Sequence, residues 1–313
     1  MSAKQHQTPL ADVRGKVAFI TGGSSGIGLG LGRVLSAAGM KVVFTYMRED
    51  HRDKALALFP AGNPGVHAIR LDTSDRDAMV RAADEAEAKF GNVHLLVNNA
   101  GVGITSQVSN ATWNDWDWAM NVNVSGVFSG IRTFLPRMLA HGEGAHIVTT
   151  SSSAGLVSGM VGLYATTKYA LMGMMEALRV EIEGRNVGVS VFCPGLVKTD
   201  IMFSERNRPT TLENPGGPKS HTPPPVVGGA PAIDLMSVAL DPMDVAEAVL
   251  AGIRRNDLFI LTHQEFQPGV QQRHDALMAS FPKEVAPKSR QDAVAVFVPK
   301  IYAEEAARRQ REG

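Results

Sequence analysis

The sequence predicts an α/β fold built on a parallel sheet, and three observations predict it. Short apolar, β-branched runs alternate with longer stretches of helical periodicity over most of the chain. A glycine cluster, Thr21-Gly22-Gly23-Ser24-Ser25-Gly26-Ile27-Gly28, stands between the first such run and the first helix. Amide, hydroxyl and glycine residues recur where successive runs end, at the edge where open α/β sheets bind ligands.

The composition agrees. Hydrophobic residues make up 44% and charged residues 20%, as in a soluble globular protein. Basic and acidic residues balance at 31 each, so no nucleic-acid or anionic-membrane partner is indicated. One cysteine, Cys193, excludes an intrachain disulfide and fits the reducing cytoplasm. No apolar run approaches the ~20 residues of a membrane span, and the nine histidines show no metal-ligand spacing.

Residues 1–13 read as a mobile polar tail without the apolar core of a signal peptide. Residues 16–20 are the first strand. Gly22, Ser24, Ser25, Gly26, Ile27 and Gly28 then form a loop whose backbone N–H groups can approach a pyrophosphate at a helix N-terminus. The second strand, 41–46, ends at Tyr46, where a carboxylate would bond the ribose 2′-hydroxyl of NAD and an arginine would accept a 2′-phosphate. The carboxylate is missing and Arg48 is near, with Arg52 to follow, which leans toward NADP(H). Against this, Met47 carries no charge, and Arg48 has the plainer reading of a solvent-facing residue.

A third strand, 66–71, ends at Asp72, which either accepts a bond from the adenine amino group or, with Ser74, caps the next helix. The fourth, 93–97, runs into Asn98-Asn99-Ala100-Gly101, either part of the site or a tight turn. Residues 113–141 read as helix and include Asn123, a buried amide that either finds a partner or bends the helix and holds a water.

The fifth strand, 147–150, passes into Ser151, Ser152 and Ser153 and then a helix bearing Tyr164 and Lys168. Residues four apart share a helix face. A neighbouring ammonium favours the phenolate and lowers the usual tyrosine pKa of ~10, so Tyr164 is a candidate general acid or base. The same helix carries Leu171, Met172, Met174 and Met175 on more than one side, which predicts a homo-oligomer, dimer or tetramer. The sixth strand, 187–192, leads to Pro194, Gly195, Val197 and Thr199, placed to line a nicotinamide. Residues 201–240, rich in Pro and Gly, are expected to cover the substrate or stay disordered. Helix follows to 255, then a last strand at 258–261. Residues 263–313 look like a helical extension of one or two helices.

Together TGGSSGIG, Asp72, NNAG, Asn123-Val-Ser-Gly, the serine run, YATTK and Pro194-Gly195 resemble the short-chain dehydrogenase/reductase family over residues 14–262. The resemblance implies a single Rossmann-type domain: a doubly wound, seven-stranded parallel sheet with its chemistry at the carboxyl edge. It also implies roles. Tyr164 is the acid/base, Lys168 tunes it and bonds the nicotinamide ribose, a serine orients the substrate oxygen, and Asn123 holds a water. Counting back from the tyrosine gives Ser151; aligning the strand and Ala154-Gly155 gives Ser152, which is preferred because strand register fixes direction. The chain also looks similar to bacterial dehydrogenases of benzylic alcohols in lignin-type aryl ethers. The reading is therefore an oxidoreductase acting with NADP(H) on a bulky secondary alcohol or ketone. The alternatives are an NAD-dependent benzylic alcohol dehydrogenase and a non-catalytic nucleotide sensor on the same fold.

Overall fold

Seven parallel strands form one sheet in the order β3-β2-β1-β4-β5-β6-β7 in the computed structural model. It describes residues 8–60, 62–159, 162–214 and 236–312. In chain order the elements are β1 (Val17–Ile20), α1 (Gly26–Ala37), β2 (Lys41–Tyr46), α2 (Glu49–Leu56), β3 (Val66–Arg70), α3 (Arg76–Phe90) and β4 (Leu95–Asn98). They continue with α4 (Trp113–Met120), α5 (Gly126–His141), β5 (Ala145–Thr150), α6 (Gly162–Glu181) and β6 (Val187–Cys193). Then come α7 (Pro242–Arg255), β7 (Phe259–Leu261), α8 (Gln267–Ala279), α9 (Lys288–Ala295) and α10 (Ile301–Glu312).

The strands read as continuous apolar runs because both sheet faces are covered. Along β1, Val17 and Phe19 face a core shared with α3, α5 and α6, whereas Ala18 and Ile20 face one shared with α1 and α7. The chain leaves β1 toward β3 on one side and returns at β4 on the other, so a crevice opens at their carboxyl ends.

Four expectations change. The tail is not mobile throughout, because Leu10 and Val13 are buried in the α1/α7 core; residues 1–7 lie outside the described residues. The helix expected over 113–141 is two helices joined by a π-helical turn at Asn121–Ser125. The apolar residues of α6 are covered within the chain: Leu171, Met172 and Met175 are buried against the sheet and Met174 packs beside them. They therefore carry no argument for assembly. The extension holds three helices, α8 to α10. The centre of the expected substrate-covering insert, 215–235, lies outside the described residues.

At the open edge of the sheet, α10 lies along β7. Arg309 donates to the Phe259 carbonyl at 2.6 Å, and Glu305 accepts the Leu258 N–H at 3.0 Å. Fully buried Asp257 binds Arg308, together with Arg309 at 2.8 Å and Arg255 at 2.7 Å.

Candidate active site

A cleft of about 610 Å³ runs along the carboxyl edge. Its floor is the glycine turn. Gly22 and Gly26 take φ of +62° and +51°, a region that penalises a Cβ. A Cβ at Gly28 would lie 2.4 Å from the Gly22 carbonyl oxygen, so α1 starts tight against the turn. Ser25 stands at the N-cap of α1 without a side-chain capping bond, leaving the first helical N–H groups open to an anion. This cradle fits the pyrophosphate of a dinucleotide.

Two threonines that the sequence reading passed over fix the turn. The Thr21 hydroxyl oxygen accepts the N–H groups of Asn99 and Ala100, both at 3.0 Å, and the Thr45 hydroxyl accepts the Gly22 N–H at 3.0 Å. The Asn99 amide donates to the carbonyls of Thr21 and Gly22 at 3.2 and 3.3 Å. The NNAG stretch is therefore bolted to the glycine loop. The only earlier signal was a threonine at the end of each of two apolar runs.

Ser24, Ser25, Ile27, Tyr46, Arg48, Asp72, Asn99, Ala100, Gly101, Pro194, Gly195, Val197 and Thr199 all line the cleft with Gly22 and Gly26, as do Ser152, Tyr164 and Lys168. Gly28 and Asn123 stand behind it. At the end of the cleft bordered by β2 and β3, Asp72 makes a local turn in which its Oδ1 accepts the Ser74 N–H at 2.9 Å and hydroxyl at 2.7 Å. It does not cap α3, whose N-cap is Asp75, accepting the Ala78 N–H at 2.9 Å. Arg48 is not simply solvent-facing, since it lines the cleft, but it is paired two-pronged with Asp50 at 3.0 and 3.2 Å. Arg52 does not reach the cleft; it lies 5.5 Å from the Tyr46 ring centre and pairs with Glu49 and Asp53.

At the other end Lys168 is buried, its Nζ 5.3 Å from the Tyr164 ring centre and donating to the Thr150 carbonyl at 3.0 Å. Burial pushes the lysine down to about 8. Burial also pushes the Tyr164 phenol up to about 12, against the pull of the Ser152 hydroxyl. The expected lowering of the tyrosine by Lys168 is not seen, because desolvation dominates and the ammonium stands over the ring.

The two serines part company. Ser151 is buried and donates to the Lys168 backbone carbonyl at 2.9 Å. Ser152 accepts the Ala154 N–H at 3.1 Å and faces Tyr164. Asn123, carried on the π turn, accepts the Val102 N–H at 2.8 Å. It donates to the Val102 carbonyl at 3.0 Å and the Thr167 hydroxyl at 3.1 Å. Both its amide protons thus tie the loop after NNAG to α6.

Residues 201–212 border the cleft beyond Tyr164 and are pinned by a contact of long sequence range. Arg208 bonds Asp115 at 2.7 Å with both side chains almost fully buried, and stacks 4.4 Å from the Trp118 ring centre. Burial pushes Asp115 up. Bonds from the Thr112 N–H, Asn214, Arg208 and Ser106 outweigh it and leave the carboxyl below its usual range. The pair therefore stays charged at neutral pH and lets go only as pH falls through the lowered pKa.

A family model described as short chain dehydrogenase matches residues 16–210. The C alpha-dehydrogenase of Sphingobium sp. (strain NBRC 103272 / SYK-6) is 36% identical over 288 residues, covering 91% of this chain and 93% of that protein. The NADP-dependent (R)-specific alcohol dehydrogenase of Lentilactobacillus kefiri is 35% identical over 193 residues, 61% of this chain and 76% of that one. Among solved structures, a short chain dehydrogenase/reductase from Burkholderia phymatum in complex with NAD superposes with a TM-score of 0.78 at 33% identity. It covers 88% of this chain and 99% of its own.

Proposed function

Because the chain belongs to the short-chain dehydrogenase family of oxidoreductases, we propose that it moves a hydride between NADP(H) and a bulky, aromatic secondary alcohol or its ketone. The observation that carries this is the cluster of Ser152, Tyr164 and Lys168 at one end of a cleft whose floor is a phosphate cradle. A nucleotide sensor has no use for that cluster.

When bound, the nicotinamide supplies or accepts the hydride and, oxidised, carries a positive charge. The residues do the rest. Ser152 holds the substrate oxygen. Tyr164 gives it a proton in reduction or takes one in oxidation. Lys168 sets the local charge, and Asn123 with Thr167 keeps α6 in register with the NNAG loop. Trp118, Ile201, Phe203 and Leu212 give the substrate end an apolar lining suited to an aromatic ring, in keeping with the name of the Sphingobium relative. Incubation with NADPH and a panel of aryl ketones, followed by nicotinamide absorbance, tests the reading; no oxidation of NADPH, and no reduction of NADP or NAD by the matching alcohols, would overturn it.

Cofactor choice rests on Arg48. Its pair with Asp50 is about half exposed on each side (49% and 47%), and such pairs are worth only ~0–1 kcal/mol, so a 2′-phosphate can displace the carboxylate. One charge-assisted contact is worth about 1.5–3 kcal/mol, roughly ten- to a hundredfold in affinity. Arg48→Ala is expected to weaken NADPH by that factor and leave NADH unchanged. Asp50→Asn, which releases the guanidinium, is expected to tighten NADPH. Tenfold tighter binding of NADH than NADPH by the unmodified protein, in a fluorescence titration, would transfer the role to NAD(H).

The protein is further proposed to be a cytoplasmic homodimer or homotetramer. Buried, unpaired Cys193 suits a reducing compartment, and among the described residues no helix is long and apolar enough to cross a membrane. Assembly is supported by exposed Trp113, Trp116 and Phe128 on α4 and α5. Light scattering at micromolar concentration should give a multiple of 33.5 kDa; a monomeric mass would refute assembly.

A further inference from the structure

We propose that His263, which lies outside every motif of the family resemblance, is a positioning residue that sets the nicotinamide end of the cleft. The proposal rests on the hydride-transfer reading above. His263 follows β7, is 9% exposed, and reaches back to the turn that follows β6. Its Nδ1 accepts the Gly195 N–H at 3.0 Å, and its Nε2 lies 3.0 Å from the Leu196 carbonyl oxygen. A carbonyl cannot donate and a backbone N–H cannot accept, so the ring is the neutral Nε2–H tautomer. In that tautomer the Thr262 hydroxyl, 2.9 Å from Nδ1, can donate to the same nitrogen.

The ring is packed against the turn as well as bonded to it. A Cβ on Gly195 would lie 2.7 Å from the imidazole carbons and 2.6 Å from the Phe266 ring. Gly195 has an ordinary φ, so glycine is required here by the approach of the imidazole. The Leu196 carbonyl also accepts the Leu240 N–H at 2.9 Å, and Lys198 N–H donates to the Leu240 carbonyl at 3.0 Å. The turn is thus held from two sides, by the strand-like segment ahead of α7 and by His263.

Pro194, Gly195, Leu196 and Val197 line the cleft. The Pro194 carbonyl accepts the N–H of Ser153 at 2.7 Å, next to the serine that faces Tyr164. A shift of the turn therefore moves the nicotinamide wall and the serine loop together. The adenosine and phosphate subsites, built from the β1, β2 and β4 ends, share none of the His263 contacts; the segment after β6 approaches them further on, at Thr199, which lies 2.8 Å from where a Cβ on Gly26 would stand.

The test compares two ligands that differ by the nicotinamide alone, NADPH and 2′-phospho-ADP-ribose, by titration calorimetry, alongside kcat for an aryl ketone. His263→Ala is expected to weaken NADPH about tenfold and lower kcat by roughly 10–100-fold, the scale of a misplaced reacting group. Affinity for 2′-phospho-ADP-ribose should stay within about twofold. His263→Asn keeps an acceptor where Nδ1 stood and should recover most of the NADPH affinity. Unchanged kcat and NADPH affinity in His263→Ala, or equal weakening of both ligands, would overturn the proposal. If His263→Ala does not fold, the same criteria pass to His263→Asn against His263→Gln, which keeps only the donor to Leu196; equal behaviour of the two with kcat intact overturns it. An unmodified protein that binds both ligands but turns over no ketone or alcohol refutes the proposed function instead, and the binding comparison still decides the role of His263.

Discussion

Tyr164→Phe is expected to lower kcat by at least about 100-fold, the usual contribution of a positioned general acid or base, while NADPH affinity stays nearly constant. The phenol lies at one end of the cleft, within the influence of Ser152 and beside buried Lys168. With the phenol pushed up to about 12 and the lysine down to about 8, the pair at neutral pH is phenol and ammonium. That is the form able to donate a proton to a carbonyl oxygen, so ketone reduction starts from the resting protonation state. Alcohol oxidation has to leave the proton on Tyr164 or pass it on, and its rate should rise with pH through the neutral and alkaline range. Near-normal turnover in the phenylalanine variant would remove Tyr164 from the chemistry.

Ser152→Ala is expected to cost roughly 100–1,000-fold in kcat, as for loss of one oxyanion donor. Ser151→Ala should leave kcat within a fewfold of normal and instead lower stability by about 1 kcal/mol, the net worth of a hydrogen bond. Ser151 also borders the cleft, but its hydroxyl is committed to the backbone of α6 and lies close against Gly155, where a Cβ would come within 2.6 Å of it. Steady-state rates with one ketone, measured beside thermal melts, separate the two. A greater kcat loss in Ser151→Ala would mean that the spacing to the tyrosine, rather than strand register, identifies the working serine.

Much of this site was legible because its parts are local. The glycine turn, NNAG and the Tyr164/Lys168 pair each sit at one strand end or on one helix face, and strand periodicity places the ends on one edge. What escaped is contact between residues far apart in the chain: Arg208 with Asp115, His263 with Gly195, Thr21 with Asn99. No pattern of spacing reports those. Arg48 was legible in its place at the cleft but not in its pairing. Its partner Asp50 was in plain sight two residues on, but a charge near a strand tip says nothing about which group it has already chosen. The tyrosine pKa was misread because a charge pair seen in sequence carries no information on burial, and burial decides here. Leu10 and Val13 were assigned to the tail because two apolar residues in a polar stretch make no period.

The docking of α10 on β7 has a consequence for how the chain comes off the ribosome. β7 is the last strand of the sheet, and a bare strand edge is a template for pairing with other chains. The groups that cover it sit on Glu305 and Arg309, the latter 50 residues downstream of Phe259. At a synthesis rate of about 5–20 residues per second, the strand waits roughly 3–10 s for its cover. During that interval the nascent sheet is complete but sticky on one side, and Asp257 is without its two arginines from α10. Chains released before residue 305 should consequently partition toward aggregates or chaperones, although they already contain every residue of the catalytic cleft.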